Sequence, residues 1–198
     1  MNKVWAIVLA AGKSTRMKQQ KLLMPFNGKT IVETVISKIT PVLKSTIMVV
    51  LGSNQYEISS KISKLQVEFC INKNFEEGML SSVVCGFNSI PESADAALVF
   101  LGDQPQVSTE VIQTVIKGWE HSEKGMVIPT FNGKRGHPVL IETKYKGEIN
   151  RLDPEKGLRQ LMQKFSEDIA EVEVAEGEIL RDIDTPEDYE FEIKKNNQ

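Results

Sequence analysis

The stretch from Val4 to Leu23, VWAIVLAAGKSTRMKQQKLL, begins as an apolar run and ends as a basic loop. Val4–Leu9 has the length and composition of a buried strand. Gly12-Lys13-Ser14 follows it and matches the end of a Walker A phosphate-binding loop. That loop also needs a glycine five positions before its second glycine, and Ile7 stands there inside the strand. The stretch therefore predicts a strand followed by a loop that is not a Walker A loop.

The residues of this loop leave two interpretations open. The strand ends in the small residues Ala10, Ala11 and Gly12, which let backbone N–H groups approach an anion closely. The dinucleotide-binding pattern G-x-G-x-x-G is excluded because Gly12 stands alone. Four cations follow: Lys13, Arg16, Lys18 and Lys21. The loop is either a solvated basic segment or a phosphate site in which Arg16 and Lys21 supply charge-assisted hydrogen bonds.

Apolar runs alternate with amphipathic segments along the rest of the chain. The predicted strands are Val4–Leu9, Thr46–Leu51, Gln66–Ile71, Ala96–Leu101, Met126–Ile128, Pro138–Ile141 and Asp168–Val174. The predicted helices cover 31–39, 55–63, 79–89, 108–119 and 158–165, and a last helix is capped by Thr185. Ser108 is predicted to be the N-cap of the helix that runs to about Trp119. This alternation predicts one domain over residues 1–198, a three-layer α/β/α sandwich with a Rossmann-like, mostly parallel sheet. In such sheets ligands bind beyond the carboxyl ends of the strands.

Composition narrows the class of protein. The formal net charge of −3 over 198 residues argues against a nucleic-acid partner. The sequence has no apolar run of membrane-spanning length, and Met1–Lys3 leads directly into a strand without a signal peptide. We therefore expect no membrane association and a cytoplasmic location. Cys70 and Cys85 lack the spacing of metal ligands and are expected to be reduced, buried thiols.

Carboxylate side chains at two further places in the sequence are candidate site residues. Asp103 comes two residues after the end of the buried strand Ala96–Leu101, where it either binds a divalent cation or closes an Asx turn. Asp182 and Asp184 are two apart, so an extended backbone points both to the same side. They either face the cleft or cap the last helix.

Taken in order, these motifs resemble those of the molybdenum cofactor cytidylyltransferases, within the MobA-like group of nucleotidyltransferases. The matching residues are L-A-A-G-x-S-x-R-M at 9–17, K-L-L at 21–23, P-F-x-G-K at 25–29, G-D-Q-P at 102–105 and D-I-D-T-P-E-D at 182–188. The resemblance implies that Leu9, Ala10, Ala11 and Gly12 contact the base and phosphates of a nucleotide, with Gly102 beside them. It implies catalytic roles for Arg16, Lys21 and Asp103, and an Mg²⁺ or Mn²⁺ ion on Asp103 and Asp184. The role of Asp182 stays open.

The resemblance also extends to the base and the acceptor. Gly78 and Ser82 match a segment that faces a pyrimidine, and Ala11 favours CTP over GTP. The G-x-x-G-H-P segment, with Gly136 and His137, lies on the acceptor side, where Lys134 and Arg135 could meet a phosphate. The family pattern G-D-x-G-A-R is replaced here by Pro154-Glu155-Lys156-Gly157-Leu158-Arg159. The identity of the acceptor is therefore the part of the resemblance that the residues support least.

The resemblance implies transfer of CMP from CTP to the terminal phosphate of molybdenum-loaded molybdopterin, giving molybdopterin cytosine dinucleotide and pyrophosphate. An apo-molybdenum hydroxylase of the xanthine dehydrogenase type would be the downstream partner. A related transferase that uses GTP, or CTP with a sugar or polyol phosphate, is the alternative. A non-catalytic carrier of the finished cofactor is a third hypothesis, against which the full set of Arg16, Lys21, Asp103 and Asp184 argues.

Overall fold

A computed structural model describes residues 3–17, 19–44, 46–175 and 177–196. One large sheet has the strand order β10-β7-β9-β6-β1-β4-β5, with β8 paired to β7, and β2 and β3 form a separate hairpin. The strands are β1 Val4–Ala10, β2 Pro25–Phe26, β3 Lys29–Thr30, β4 Ile47–Leu51, β5 Glu68–Ile71, β6 Ala96–Leu101, β7 Met126–Phe131, β8 Lys134–Arg135, β9 Val139–Glu142 and β10 Ile169–Glu173.

Most neighbours in this sheet are parallel. β1 pairs in parallel with both β4 and β6, and β10 pairs in parallel with β7. β9 runs antiparallel to both β6 and β7, and β8 runs antiparallel to β7. The predicted mostly parallel sheet is confirmed, and the carboxyl ends of β1 and β6 lie side by side.

Helices cover both faces of the sheet, as the alternation of strands and helices predicts. They are α1 Ile31–Leu43, α2 Gln55–Ile62, α3 Met79–Ser89, α4 Thr109–Glu120, α5 Lys146–Ile149, α6 Leu158–Lys164 and α7 Pro186–Asn196. Ala6 and Val8 of β1 belong to the core under α1, α2 and α4, whereas Ile7 belongs to the core under α3, α5 and α6. The alternation of side chains along β1 thus feeds two cores, and the three-layer α/β/α sandwich is confirmed.

The ends of several elements differ from the sequence-based bounds. Thr46 lies outside β4 because it closes a turn, with its N–H donating to the Leu43 carbonyl at 3.0 Å. β7 continues to Phe131 because β8 extends its pairing, a hairpin that the sequence pattern missed. The β2–β3 hairpin was missed as well, since its strands have only two residues each. Its turn holds Asn27 and Gly28 at positive φ, as a tight two-residue turn requires.

Other local predictions are confirmed or corrected by hydrogen bonds and burial. The Ser108 side chain caps α4 by accepting from the Val111 N–H at 3.2 Å. Thr185 caps α7, because its hydroxyl accepts from the Asp188 N–H at 3.2 Å. Cys70 and Cys85 are free thiols, but they are half-buried because Cys70 belongs to the edge strand β5.

Candidate functional site

A cavity of about 370 Å³ opens at the carboxyl ends of β1 and β6, where the topology predicts a ligand. We call it the first cavity. Its lining combines the loop after β1, the start of α3 and three aspartates: Leu9, Ala11, Gly12, Ser14, Thr15, Arg16, Lys21, Leu22, Phe75, Gly78, Met79, Ser82, Leu101, Asp103, Asp182 and Asp184. Most of the predicted site residues therefore meet in one place.

Two predicted residues near this cavity have other surroundings. The Ala10 side chain is buried in the core under α1 and does not line the cavity. Gly102 also lies outside the lining, and its N–H donates to the Leu9 carbonyl at 3.0 Å. A Cβ at Gly102 would lie 2.6 Å from that carbonyl oxygen, so glycine is needed for the close approach of β1 and β6. The sequence pattern did not distinguish this packing role from ligand contact.

Lys21 joins two of the predicted metal ligands. Its Nζ forms an ion pair with Asp103 Oδ2 and lies 2.9 Å from Asp184 Oδ1. The lysine side chain is only 13% exposed. Burial works against its charge, but the two carboxylates outweigh burial and raise the pKa of Lys21. Lys21 is therefore held as a cation at the floor of the first cavity.

Arg16 extends this group toward solvent. Its guanidinium lies 2.9 Å from Asp184 Oδ2, and 69% of its side chain is exposed. Burial alone would raise the pKa of Asp184, but Lys21 and Arg16 outweigh it and hold that pKa below its ordinary value. We call Arg16, Lys21, Asp103 and Asp184 the site cluster.

Lys13, another predicted cation of this loop, does not join the site cluster. Lys13 pairs with Glu76 and lies 5.7 Å from the centre of the Phe75 ring. Lys18 lies outside the described residues. Among the residues that the structure describes, Arg16 and Lys21 are the cations that line the first cavity.

Gln20, which sequence reasoning missed, organises the loop. Its Oε1 accepts a hydrogen bond from Ser14 Oγ at 2.8 Å, which ties the start of the loop to its end. The same oxygen caps the short 3₁₀ turn Lys21–Leu23 through the Leu22 N–H. These two hydrogen bonds close the loop immediately before Lys21 and so fix the position of its backbone.

Asp182 lies at the border of the first cavity. Its Oδ1 accepts from Gln104 Nε2 at 2.7 Å, and Gln104 is itself buried. Burial, and then the negative charge of Asp103, raise the pKa of Asp182. Asp182 thus faces the site together with Asp184, as the spacing predicts. Gln104 carried no sequence signal beyond its place in the G-D-Q-P motif.

The donor atoms suit a hard divalent cation. Asp103 and Asp184 present carboxylate oxygens to one cavity, and oxygen is the ligand type that Mg²⁺ and Mn²⁺ prefer. Within 3–17, 19–44, 46–175 and 177–196, no three or more His, Cys, Asp or Glu side chains are grouped to hold a metal. The pair fits the mode in which Mg²⁺ binds one or two carboxylates and takes its remaining ligands from phosphate and water.

The start of α3 forms another wall of the first cavity. Gly78 precedes the helix at φ +98°, a conformation that side chains rarely adopt. Ser82 is buried, and its Oγ accepts from Asn72 Nδ2 at 3.0 Å. Gly78 and Ser82 lie where the sequence predicts them. Asn72, at the end of β5, was not predicted.

A second cavity of about 720 Å³ adjoins the first and shares Met79, Leu101 and Asp182 with it. Gly136 and His137 line this second cavity, as predicted for the acceptor side. A Cβ at Gly136 would lie 2.4 Å from the Ile179 carbonyl oxygen, so a side chain there would push the two segments apart. Burial lowers the pKa of His137 against the pull of Asp103, which favours the neutral imidazole.

The charged side chains on the second cavity are mostly cationic. Arg135, Lys156 and Arg159 line it, and Asp182 is the acidic residue among its lining side chains. Arg135 is paired with Glu171 at 2.7 Å. Lys134 is exposed on β8 and does not line the cavity, contrary to the expectation for this pair. Such a lining suits an anionic ligand.

The segment that departs from the family pattern contributes to this second cavity. Gly157 and Leu158 line it beside Arg159, with Gly157 at φ +58°. Pro154 lines a different cavity, of about 300 Å³. Of the two departures from the family pattern, Leu158 therefore lines the second cavity and Pro154 does not, and Arg159 keeps a cation in the lining.

Across the described part of the chain, no helix has both the length and the apolar character needed to cross a membrane.

Known proteins share both the sequence pattern and the length of this chain. The model of the MobA-like NTP transferase domain matches residues 6–171. The chain is 26% identical over 190 residues to the molybdenum cofactor cytidylyltransferase of Escherichia coli (strain K12), covering 96% of this chain and 95% of that protein.

Solved structures share the fold. Rv0371c from Mycobacterium tuberculosis H37Rv superposes with a TM-score of 0.86 at 21% identity, covering 98% of each chain. A structure of Rv0371c in complex with manganese has a TM-score of 0.80 at 22% identity, covering 98% of this chain and 99% of that one. These structures carry the same nucleotidyltransferase-type α/β architecture.

Proposed function

We propose, because this chain belongs to the family of MobA-like NTP transferase domains, that it transfers CMP from CTP to the terminal phosphate of molybdenum-loaded molybdopterin. The products are molybdopterin cytosine dinucleotide and pyrophosphate. The observation that carries the proposal is the site cluster at the floor of the first cavity, directly beside a second cavity lined by cations. The residues 1–198 would act as one nucleotidyltransferase domain.

The first cavity would hold the nucleotide. Leu9, Ala11 and Gly12 form the wall nearest to the sheet, and Gly12 is open enough that nothing lies within 4 Å of an added Cβ. Arg16 and Lys21 would bind the phosphates, because a guanidinium and an ammonium donate strong hydrogen bonds to phosphate oxygens. On binding, the phosphates would compete with Asp103 and Asp184 for these two cations.

Asp103 and Asp184 would hold Mg²⁺ or Mn²⁺. When bound, the ion would neutralise negative charge on the phosphates as the α-phosphorus is attacked. Lys21 would then turn from the carboxylates to the triphosphate, while Gln20 would hold the loop closed around it through Ser14 and the Leu22 N–H. The acceptor phosphate is already ionised, so the chain needs no strong general base and contributes positioning and charge stabilisation.

The second cavity would hold the acceptor. Arg135, Lys156 and Arg159 provide positive charge for a phosphorylated molecule, and Gly136 and His137 form the adjoining wall. Asp182 lies at the border of the two cavities, so a phosphate bound beside it would lie next to the nucleotide. The cytosine dinucleotide would be delivered to an apo-molybdenum hydroxylase of the xanthine dehydrogenase type.

The choice of CTP rests on two residues of the first cavity. Ala11 is buried at 4% exposure and packs against the backbone at Gly52, which leaves room for a base only on the cavity side. Ser82 offers a hydroxyl that can read a base edge, and a site that hydrogen-bonds its substrate rejects analogues that lack the matching group. The 26% identical cytidylyltransferase supports the same base.

The test is pyrophosphate release with molybdenum-loaded molybdopterin and Mg²⁺, with CTP and GTP compared in parallel. We expect release with CTP and little with GTP. Pyrophosphate release with GTP alone would show that the nucleotide substrate is GTP. Pyrophosphate release from CTP only in the presence of sugar or polyol phosphates would show that one of these is the acceptor. CTP binding without release under any of these conditions would support a carrier.

The acceptor side has a matched pair of variants. Arg159→Ala removes a cation from the second cavity and is expected to raise the acceptor KM about tenfold or more, because a charge-assisted bond to phosphate is lost. The KM for CTP should change little. Lys134→Ala removes an exposed cation outside the cavity and is the control. Equal acceptor KM values in the two variants would contradict the assignment of the second cavity.

A further inference from the structure

Asn72 is a buried polar residue at the end of β5, and only 5% of it is exposed. Its own N–H continues the sheet by donating to the Leu51 carbonyl at 2.7 Å. Its side chain then reaches the first turn of α3, where Nδ2 donates to Ser81 Oγ at 2.8 Å and to Ser82 Oγ at 3.0 Å. Asn72 thus fastens the wall of the first cavity to the sheet.

The orientation of this amide is fixed by its neighbours. Asn72 Oδ1 lies 2.9 Å from the Asn74 backbone nitrogen, which can only donate. The atom facing that N–H must therefore be the amide oxygen, and the NH₂ group must face the two serines. The hydroxyls of Ser81 and Ser82 are consequently acceptors toward Asn72.

The two serines differ in where their own protons go. Ser81 Oγ donates to the Gly78 carbonyl at 2.8 Å, so its hydrogen is committed within the helix turn. Ser82 accepts from Asn72 and lines the first cavity. Because Asn72 presents an N–H to the Ser82 oxygen, the hydroxyl hydrogen of Ser82 must point away from Asn72 and is available to a ligand in the cavity.

We propose that Asn72 is a positioning residue that fixes Ser82 as a hydrogen-bond donor, and that this polarity selects cytosine over uracil. This inference rests on the proposed use of CTP. The N3 atom of cytosine accepts a hydrogen bond, whereas N3 of uracil carries a hydrogen and donates. A hydroxyl whose hydrogen is available to the base satisfies the first directly, whereas the second presents another N–H, which must compete with Asn72 for the lone pairs of Ser82, and this costs binding.

The test reverses the polarity at constant shape. Asn72→Asp replaces the NH₂ donor by a carboxylate oxygen at pH 8, so Ser82 would donate to the new carboxylate and accept from the base. We expect kcat/KM for UTP to rise and the ratio of kcat/KM for CTP to that for UTP to fall about tenfold or more. A loss of structure would lower both values instead of raising one. Dissociation constants for CTP and UTP, measured by calorimetry without acceptor, should shift in the same sense.

Further variants keep the inference testable if Asn72→Asp folds poorly. Asn72→Ala and Ser82→Ala should each reduce discrimination, and the double variant should discriminate no worse than Ser82→Ala, because Asn72 acts through Ser82. Ser81→Ala is the control and should keep the CTP-to-UTP ratio within about twofold, since the Ser81 proton is committed to Gly78.

The outcomes separate the two proposals. A wild-type protein that shows no preference for CTP over UTP overturns both the proposed base and this inference. A wild-type protein that prefers CTP, with a ratio unchanged in folded Asn72→Asp or Asn72→Ala, overturns this inference alone.

Discussion

Two lysines in this molecule each bridge two carboxylates, and they lie at opposite ends of the sheet. Lys21 does so at the carboxyl ends of β1 and β6. Lys144 does so at the other end, 2.7 Å from Glu142 Oε2 and 3.0 Å from Asp168 Oδ2. The chemistry of the two groups is alike, so the difference in their surroundings shows what makes one of them a candidate site.

The carboxylates around Lys144 are used by the protein itself. Asp168 accepts from the Tyr145 hydroxyl and from the Gly125 N–H, the latter at 3.0 Å. Glu142 Oε1 accepts from the Trp119 indole N–H at 3.0 Å. We call Glu142, Lys144, Tyr145 and Asp168 the far cluster. Its members join α4, β9 and β10, as expected of a structural network.

The site cluster has a different balance. The Lys21 side chain is 13% exposed and lines the first cavity, whereas the Lys144 side chain is 51% exposed and lines neither the first nor the second cavity. Arg16 adds a mostly exposed cation that pairs with Asp184. A lysine between two carboxylates therefore indicates a candidate site only when the three side chains face a cavity that a ligand can fill.

The largest expected effect separates the two clusters by matched substitutions. Asp103→Asn should lower kcat for pyrophosphate release about a thousandfold, because it removes one of the two carboxylates that would hold the charge-neutralising cation. The fold should persist, since the bond from the Ile183 N–H at 3.1 Å uses the backbone carbonyl of Asp103. Asp168→Asn makes the same chemical change in the far cluster.

We expect Asp168→Asn to keep kcat within about twofold of the wild type, because the residue contacts neither cavity. Steady-state assays of both variants, with circular dichroism to confirm folding, make the comparison. A folded Asp103→Asn protein with near-normal turnover would remove Asp103 from the site.

A smaller effect is expected from Lys21→Met. The substitution removes the cation that bridges Asp103 and Asp184, so turnover should fall about a hundredfold. It also leaves two carboxylates facing each other, so Mg²⁺ should raise Tm more in the variant than in the wild type. Asp103→Asn/Lys21→Met should lose that extra Mg²⁺ effect. An equal Mg²⁺ shift in wild type and Lys21→Met would show that the cation binds elsewhere.

The fold could be predicted from the sequence where the pattern is local and strong. Ile31, Val32 and Ile39 on one helix face are all buried, and the apolar runs of β1 and β6 became central strands. The hairpins β2–β3 and β7–β8 could not be predicted, because strands of two residues carry no periodicity. Neither could the antiparallel direction of β9, which is set by pairing and not by composition.

The site was predictable to the extent that charge follows a strand. Arg16 and Lys21 were singled out because they follow the predicted first strand, whereas Asp184 was singled out by its spacing from Asp182 and by the family resemblance. Gln20, Asn72 and Gln104 were missed, because neutral amides occur throughout the sequence and their partners lie up to 78 residues away. Their roles depend on hydrogen bonds that only the folded chain displays.

The same Asp168→Asn protein should be less stable than the wild type. The substitution weakens the hydrogen bonds from Tyr145 and Gly125, which cost about 1–2 kcal/mol to lose. For a chain of this size the loss lowers Tm by about 2–8 °C. Differential scanning calorimetry measures it. Asp103→Asn, at the other end of the sheet, should lower Tm less, and a larger loss there would mean that the site cluster is the more structural of the two.

The smallest expected effect is a change at acid pH in the unfolding free energy that Asp168 of the far cluster contributes. Burial would raise the pKa of Asp168, but the bonds from Tyr145 and Gly125 and the charge of Lys144 hold it below its ordinary value. The native protein therefore holds this proton less tightly than the unfolded chain, so the stabilisation is full above the unfolded pKa of about 3.9 and is lost as pH falls through the native pKa. The side chain in Asp168→Asn does not titrate, so the variant lacks this pH-dependent contribution to stability. The difference in unfolding free energy between wild type and variant, from urea denaturation, should be constant from about pH 6 to about 5 and shrink toward about pH 3. A difference that stays constant over this whole range would mean that the charge of Asp168 contributes nothing and that packing alone joins the far cluster.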